Sequence, residues 1–156
     1  MLFSNITILN DKLQTEQNKY VLVSGDRIAY IGDDKPDTGY LREYDGEGKL
    51  LMCGFYNGHG HSPMSLMRGY GENMALQDWL FKKIFPFEDK LDSEAVYWGT
   101  MLSMAESLRY GIVSTSDMYY FCDDMAHAVM ESGAKANISR SVTNPTGMAV
   151  SELVSF

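Results

Sequence analysis

Residues 50–61 read Leu50-Leu51-Met52-Cys53-Gly54-Phe55-Tyr56-Asn57-Gly58-His59-Gly60-His61. The opening seven are almost all apolar, the pattern of a strand buried in a parallel sheet, and the run ends at Asn57. His59-Gly60-His61 follows directly, and it uses two of the three histidines in the chain. In extended backbone, residues i and i+2 project to the same side, so both imidazoles can aim at one point. Neutral imidazoles are good ligands for zinc and similar ions, and Gly58 and Gly60 leave room for an ion and a substrate. If the strand belongs to a parallel barrel, that point is the carboxyl-end mouth, where such folds place their chemistry. The triplet alone reads equally as two polar surface residues at a strand end. The apolar strand before it and the pattern after it favour the metal-binding reading.

Toward the C-terminus, Leu76 to Ile84 has helical spacing around Trp79, and Pro86 predicts a break. Asp92 or Ser93 can cap a second helix, with Glu94 in its first turn complementing the helix dipole. Tyr97, Met101, Met104 and Leu108 make one apolar stripe on that helix, and Gly111 closes it. Ile112 to Ser116 is a strand ending at Asp117, Asp124 to Ser132 is a helix stopped by Gly133, and Ala136 to Val142 is the next strand. From Leu50 onward the order is β-α-β-α-β, which implies parallel strands with right-handed crossovers. Toward the N-terminus the chain is β-rich. Ile6, Ile8 and Leu9 lie in one piece and Tyr20 to Val23 in a second. A turn at Ser24-Gly25-Asp26 leads to a third over Arg27 to Gly32. Asp33 to Thr38, with Pro36, reads as a loop, and Asp45 to Gly48 as a turn. The expected division is residues 1–49 and 50–156.

The chain has 156 residues, 45% of them hydrophobic and 22% charged, an ordinary globular composition. Its formal charge of −8 makes it a poor partner for polyphosphate, which disfavours nucleic acid. Cys53 and Cys122 form neither a CxxC motif nor a disulfide framework. No basic-then-apolar leader opens the chain and no apolar run is long enough to span a bilayer. The expectation is a cytoplasmic protein that does not engage membranes.

The run from Leu51 through His59-Gly60-His61-Ser62-Pro63 to Arg68-Gly69-Tyr70 resembles the metal-binding opening of the amidohydrolase superfamily. Within it, the chain is most similar to the S-adenosylhomocysteine / 5′-methylthioadenosine deaminases and related chlorohydrolases. The likeness continues through Gln77-Asp78-Trp79-Leu80, Pro86-Phe87-Glu88, Tyr97-Trp98-Gly99-Thr100 and Ser116-Asp117-Met118-Tyr119. It covers nearly the whole chain. The resemblance implies an α/β fold: the first three strands of a (β/α)8 TIM barrel, preceded by strands of a small β-sandwich.

It also implies roles for particular residues. His59 and His61 match the first two ligands of a divalent metal, zinc by preference. Glu88 matches a residue that binds the ribose hydroxyls of a nucleoside, work that suits an ionised carboxylate; on composition alone it is equally a solvated helix-end acid. Arg140 matches a substrate-contacting arginine able to grip a carboxylate such as that of a homocysteine tail, although an arginine near a strand end is more often a surface residue. Trp79 matches a wall of the substrate pocket, and reads at least as well as a core tryptophan. The implied reaction is hydrolytic deamination of an adenosine analogue. The alternatives are another amidohydrolase acting on an amino- or chloro-substituted heterocycle such as guanine or a triazine, or a non-catalytic fragment.

Asp117 reads as a loop holder through hydrogen bonds, His127 as a surface histidine and Arg68 as a tie to neighbouring carbonyls. No catalytic acid or base is expected within this chain. A whole barrel needs about 200 residues or more, and the family's remaining metal ligands and its proton-transferring Glu lie beyond residue 156. Two imidazoles leave a tetrahedral site half built. The expectation is therefore an N-terminal fragment that is inactive alone and associates as a homo-oligomer or through its exposed barrel edge, with Ser151 to Phe156 beginning a further helix.

Overall fold

The computed structural model describes residues 1–37, 39 and 42–140. The chain divides into two compact units, one over Met1–Cys53 and one from Gly54 onward. In the first, strands β1 (Leu2–Leu9), β2 (Thr15–Ser24) and β3 (Arg27–Gly32) form an antiparallel meander. The far edge of β1 pairs in parallel with β4 (Glu43–Asp45) and then β5 (Leu50–Leu51). Leu2, Ser4, Ile6 and Ile8 alternate inward along β1, as the period of a strand requires. Ile6, Ile8 and Val21 form the core of this unit, with Phe3 and Leu51 packed on it.

The second unit holds a parallel sheet of β6 (Phe55–Gly60), β7 (Ile112–Tyr119) and β8 (Lys135–Arg140), in that order. A helical connection separates each consecutive pair, so the β-α-β-α-β order stands. The apolar run at Leu50 is two strands rather than one. Leu50 and Leu51 pair with Thr7 and Ile8 in the first sheet, and Phe55 opens the second. Hydropathy could not divide it, because both halves are apolar and the break at Met52–Gly54 carries no charge or proline. Phe55 and Tyr56 are also exposed, not buried as expected, in a strand that among the described residues pairs only with β7.

Between β6 and β7 the chain makes a tight 3₁₀ turn over Ser62–Met67 and then a helical run of α1 (Leu76–Trp79), a wide turn at Leu80–Ile84 and α2 (Phe85–Glu88). Pro86 does not end this run. The Phe85 amide donates to the Leu80 carbonyl, an i to i−5 bond that widens the helix just before the proline. That widening relieves the clash a proline ring makes with the preceding turn, and the helix continues to Glu88.

Helix α3 (Ser93–Arg109) is capped by Asp92, whose Oδ1 accepts from the Ala95 amide at 2.8 Å. Its buried face is Val96, Gly99, Thr100 and Met104. Of the expected stripe only Met104 is buried; Tyr97 and Met101 are half-buried and Leu108 is exposed. The face is turned by about one residue because Gly99 lets the backbone of the 3₁₀ turn approach closely. A Cβ on Gly99 would lie 2.6 Å from the Pro63 carbonyl oxygen. Small residues, and not the largest apolar ones, therefore mark the contact.

Helix α4 (Cys122–Ser132) ends at Gly133, whose φ of +74° is a left-handed cap suited to glycine. Strand β7 runs two residues past Asp117, to Tyr119. Met67, Ile84, Val96, Tyr119 and Met125 form the core of this unit. No helix among the described residues is long and apolar enough to cross a membrane. Residues 141 and 142, expected to finish β8, and 151–156, expected to begin a helix, lie outside the described residues, as does Thr38 of the expected loop.

Candidate functional site

Parallel pairing brings the carboxyl ends of three strands together. Gly60 stands opposite Asp117, and Tyr119 opposite Arg140. His59 lies in β6 and His61 one residue past its end. Their ring centroids are 4.7 Å apart with planes at 85°. His61 Nδ1 is 2.7 Å from the carbonyl oxygen of Met118. A carbonyl can only accept, so Nδ1 is the donor, and in the neutral ring Nε2 then keeps its lone pair. This arrangement suits a metal-ligating histidine, whose second nitrogen is ordinarily tied to an acceptor that sets tautomer and orientation. The donor set therefore fits a divalent ion of intermediate softness. Among the described residues, no group of three or more His, Cys, Asp or Glu side chains is placed to hold one.

Asp117 is buried, at 3% exposure, and both its oxygens lie 3.2 Å from the Ser62 amide nitrogen. The carboxylate accepts that N–H and so pins the chain just after His61. Arg68 holds the Glu106 carboxylate at 2.9 and 2.6 Å, in place of the carbonyl contacts expected for it. The fork of a guanidinium matches two carboxylate oxygens better than scattered carbonyls. His127 is exposed and pairs with Glu131 at 3.1 Å.

A cavity of about 730 Å³ opens beside α2 and the end of β8. Glu88, Asp89 and Arg140 supply its charges, and Phe81, Phe85, Leu91, Tyr120 and Phe121 its apolar wall. Glu88 and Arg140, singled out separately in the sequence, thus face one space. Trp79 is not among the lining residues; it packs, half-buried, against the core around Met67 and Ile84. The two histidines do not line the cavity either. Tyr119 joins the two regions: its ring centroid lies 6.3 Å from that of His61, and its hydroxyl donates to Glu88 Oε1 at 2.7 Å.

The sequence by itself assigns Tyr119 no role. The available signal was its period-2 relation to Asp117, which places both on the inward side of β7. Burial, and then the bond to the Glu88 carboxylate, push its phenol well above the ordinary tyrosine range. Above about pH 10 an unfolded chain releases this proton while the folded one keeps it, so folding stability falls as pH rises. The melting temperature is expected to drop on raising the pH from 9 to 11, and to drop less in Tyr119→Phe. Equal losses in the two proteins, followed by circular dichroism, would show that this phenol is not responsible.

The site therefore belongs to a mixed α/β protein with its chemistry-bearing residues at the carboxyl ends of parallel strands. The amidohydrolase family model matches residues 50–150, and the chain belongs to that family. A 5-methylthioadenosine/S-adenosylhomocysteine deaminase of Thermoanaerobacter pseudethanolicus is 39% identical over 144 residues, covering 91% of this chain and 33% of that protein. Another protein of the same name, from Caldanaerobacter subterraneus subsp. tengcongensis, is 39% identical over 155 residues, covering 97% and 35%. Among solved structures, an adenosine deaminase from Xanthomonas campestris with bound zinc superposes with a TM-score of 0.78 at 28% identity, over 86% of this chain and 32% of that one. Atrazine chlorohydrolase from Arthrobacter aurescens, complexed with zinc, shares the fold with a TM-score of 0.82 at 20% identity, over 97% and 37%. The chain spans about a third of the length of the curated relatives it matches.

Proposed function

We propose that this chain supplies two metal-holding histidines and one wall of the substrate pocket of a hydrolytic deaminase acting on adenosine analogues of the methylthioadenosine or S-adenosylhomocysteine kind. The observation that carries this reading is the pairing of Glu88 and Arg140 on one aromatic-rich cavity, tied through Tyr119 to the histidine pair. The names of the relatives support the same substrate class. On this reading β6, β7 and β8 are the first three strands of a (β/α)8 barrel, and the first unit is part of a small β-sandwich. The remaining ligands and the proton-transferring group come from further polypeptide or from a second chain.

Each residue then has a stated task. Glu88 accepts hydrogen bonds from the two ribose hydroxyls. Arg140 pairs with a carboxylate on the 5′ substituent, and Phe81, Phe85, Tyr120 and Phe121 offer aromatic surface to the flat parts of the nucleoside. His59 and His61 would hold the divalent ion, whose charge makes water a better nucleophile near neutral pH. The Met118 carbonyl keeps His61 in the tautomer that leaves Nε2 free. Asp117 keeps the following turn from shifting.

The test is ammonia release from S-adenosylhomocysteine and methylthioadenosine, with this chain alone and joined to the remaining two thirds of a matched relative. Release by the joined protein is expected. No turnover of either nucleoside, with robust activity on guanine or a chlorinated triazine, would assign it to a different substrate. Glu88→Gln is a sharper probe. It should weaken binding of nucleosides by about tenfold or more, since hydrogen bonds to a charged group contribute roughly 1.5–3 kcal/mol, and leave free adenine nearly unchanged. Equal weakening of both would remove Glu88 from ribose recognition.

A further inference from the structure

Resting on the reading of Glu88 as the ribose-binding carboxylate, we propose that Tyr119 is a positioning residue that aims this carboxylate and thereby sets the preference for a vicinal diol. Glu88 is a poorly placed anion by itself. It ends a helical run, where the backbone dipole presents its negative end, and no basic residue stands in the last turn of α2. Among the described residues no lysine or arginine forms an ion pair with it, and the donor that reaches it is the Tyr119 hydroxyl, at 2.7 Å on Oε1. The side chain is long and loses rotamer freedom when held, so without that donor it has little reason to keep one pose.

Tyr119 is well suited to fix that pose. It is 3% exposed and embedded among Met67, Ile84, Val96 and Met125. Its backbone is in register with Arg140, the other charged group of the cavity. One rigid residue thus references Glu88 to the strand that carries Arg140. With Oε1 engaged by the phenol, Oε2 and the second lone pair of Oε1 remain to accept two neighbouring hydroxyls. Asp117 and Met118, the two residues before it, hold the Ser62 amide and the His61 ring. The tip of β7 thereby sets the ion-binding and diol-binding parts against each other.

The experiment measures the affinity of the joined protein, stripped of metal with a chelator so that neither ligand is turned over, for adenosine and 2′,3′-dideoxyadenosine by isothermal titration calorimetry, in the parent, Tyr119→Phe, Glu88→Gln and the double variant. The parent should prefer adenosine, and Glu88→Gln should abolish that preference. Tyr119→Phe should shrink it about tenfold, the loss expected for one hydrogen bond to a charged group, with dideoxyadenosine bound as before. In the Glu88→Gln background the tyrosine substitution should have no further effect on the preference. Weakening of both ligands alike, or an unchanged preference in Tyr119→Phe, would overturn the positioning role while leaving the Glu88 reading intact. An unchanged preference in Glu88→Gln, or no adenosine binding by the parent, would overturn the Glu88 reading and this proposal with it. Should Tyr119→Phe not melt cooperatively, 3-fluorotyrosine at position 119 decides the matter: a stronger donor of nearly the same size should sharpen the preference, and no change or a decrease would refute the proposal.

Discussion

Replacing His61 with alanine is expected to lower the affinity of the protein for Zn²⁺ by about 100-fold or more, beyond the loss that disturbing only an outer partner of a ligand brings. The two ring centroids stand 4.7 Å apart at the end of one strand, so on the proposed reading together they would act as a chelating pair, and a single ring would hold an ion far more weakly. His61 also has its orientation set in advance by the Met118 carbonyl at 2.7 Å, which a freely rotating histidine lacks. His59→Ala should cost a similar amount. His127→Ala, which removes an exposed ring paired with Glu131, should leave affinity unchanged. Competition with a chromogenic chelator measures all three. Equal affinities in the parent and His61→Ala, or an equal loss in His127→Ala, would mean that the pair at the strand end is not the site.

Substituting Gly99 with valine should produce the largest loss of stability. Even the first carbon of the new side chain would lie 2.6 Å from the Pro63 carbonyl oxygen and 3.0 Å from its Cα. Both atoms belong to backbone, so no side-chain rotation can relieve the clash. The Ser65 hydroxyl, which donates to the Gly99 carbonyl at 2.7 Å, would be displaced as well. Overpacking of this kind costs roughly 1–3 kcal/mol or more, and in a unit of this size each kcal/mol lowers the melting temperature by about 4–8 °C. A drop of about 10 °C or more is expected by calorimetry. A parent-like melt would mean that α3 and the turn are not in close contact. Trp98→Ala, one residue away at an exposed position, serves as the control.

These two sites differ in how openly the sequence displays them. The histidine pair is legible because its geometry is local: alternation along one strand puts two rings on one side whatever else the chain does. The same holds for the Asp92 cap and the stop at Gly133, each decided by the chemistry of a single residue against its own backbone. Glu88 and Arg140 could be named from the motif, but their meeting on one cavity depends on where α2 and β8 end. Tyr119 was hidden for a related reason. A tyrosine at a strand end is an ordinary core residue until the carboxylate reached by its hydroxyl is known, and that carboxylate lies thirty-one positions earlier.

Local chemistry, then, determined the alternation of strands and helices after Phe55, both ends of α3, the stop of α4 at Gly133, and the His59–His61 pair. Tertiary structure decided which face of α3 is buried, that the helix runs through Pro86 as far as Glu88, and that Leu50 and Phe55 belong to different sheets. The difference is physical. A cap or an alternating strand is settled by a residue and its near neighbours, whereas a buried face or a strand partner is chosen by whatever distant segment comes closest. At Gly99 that choice went to the smallest residue, a preference that a count of apolar side chains cannot register.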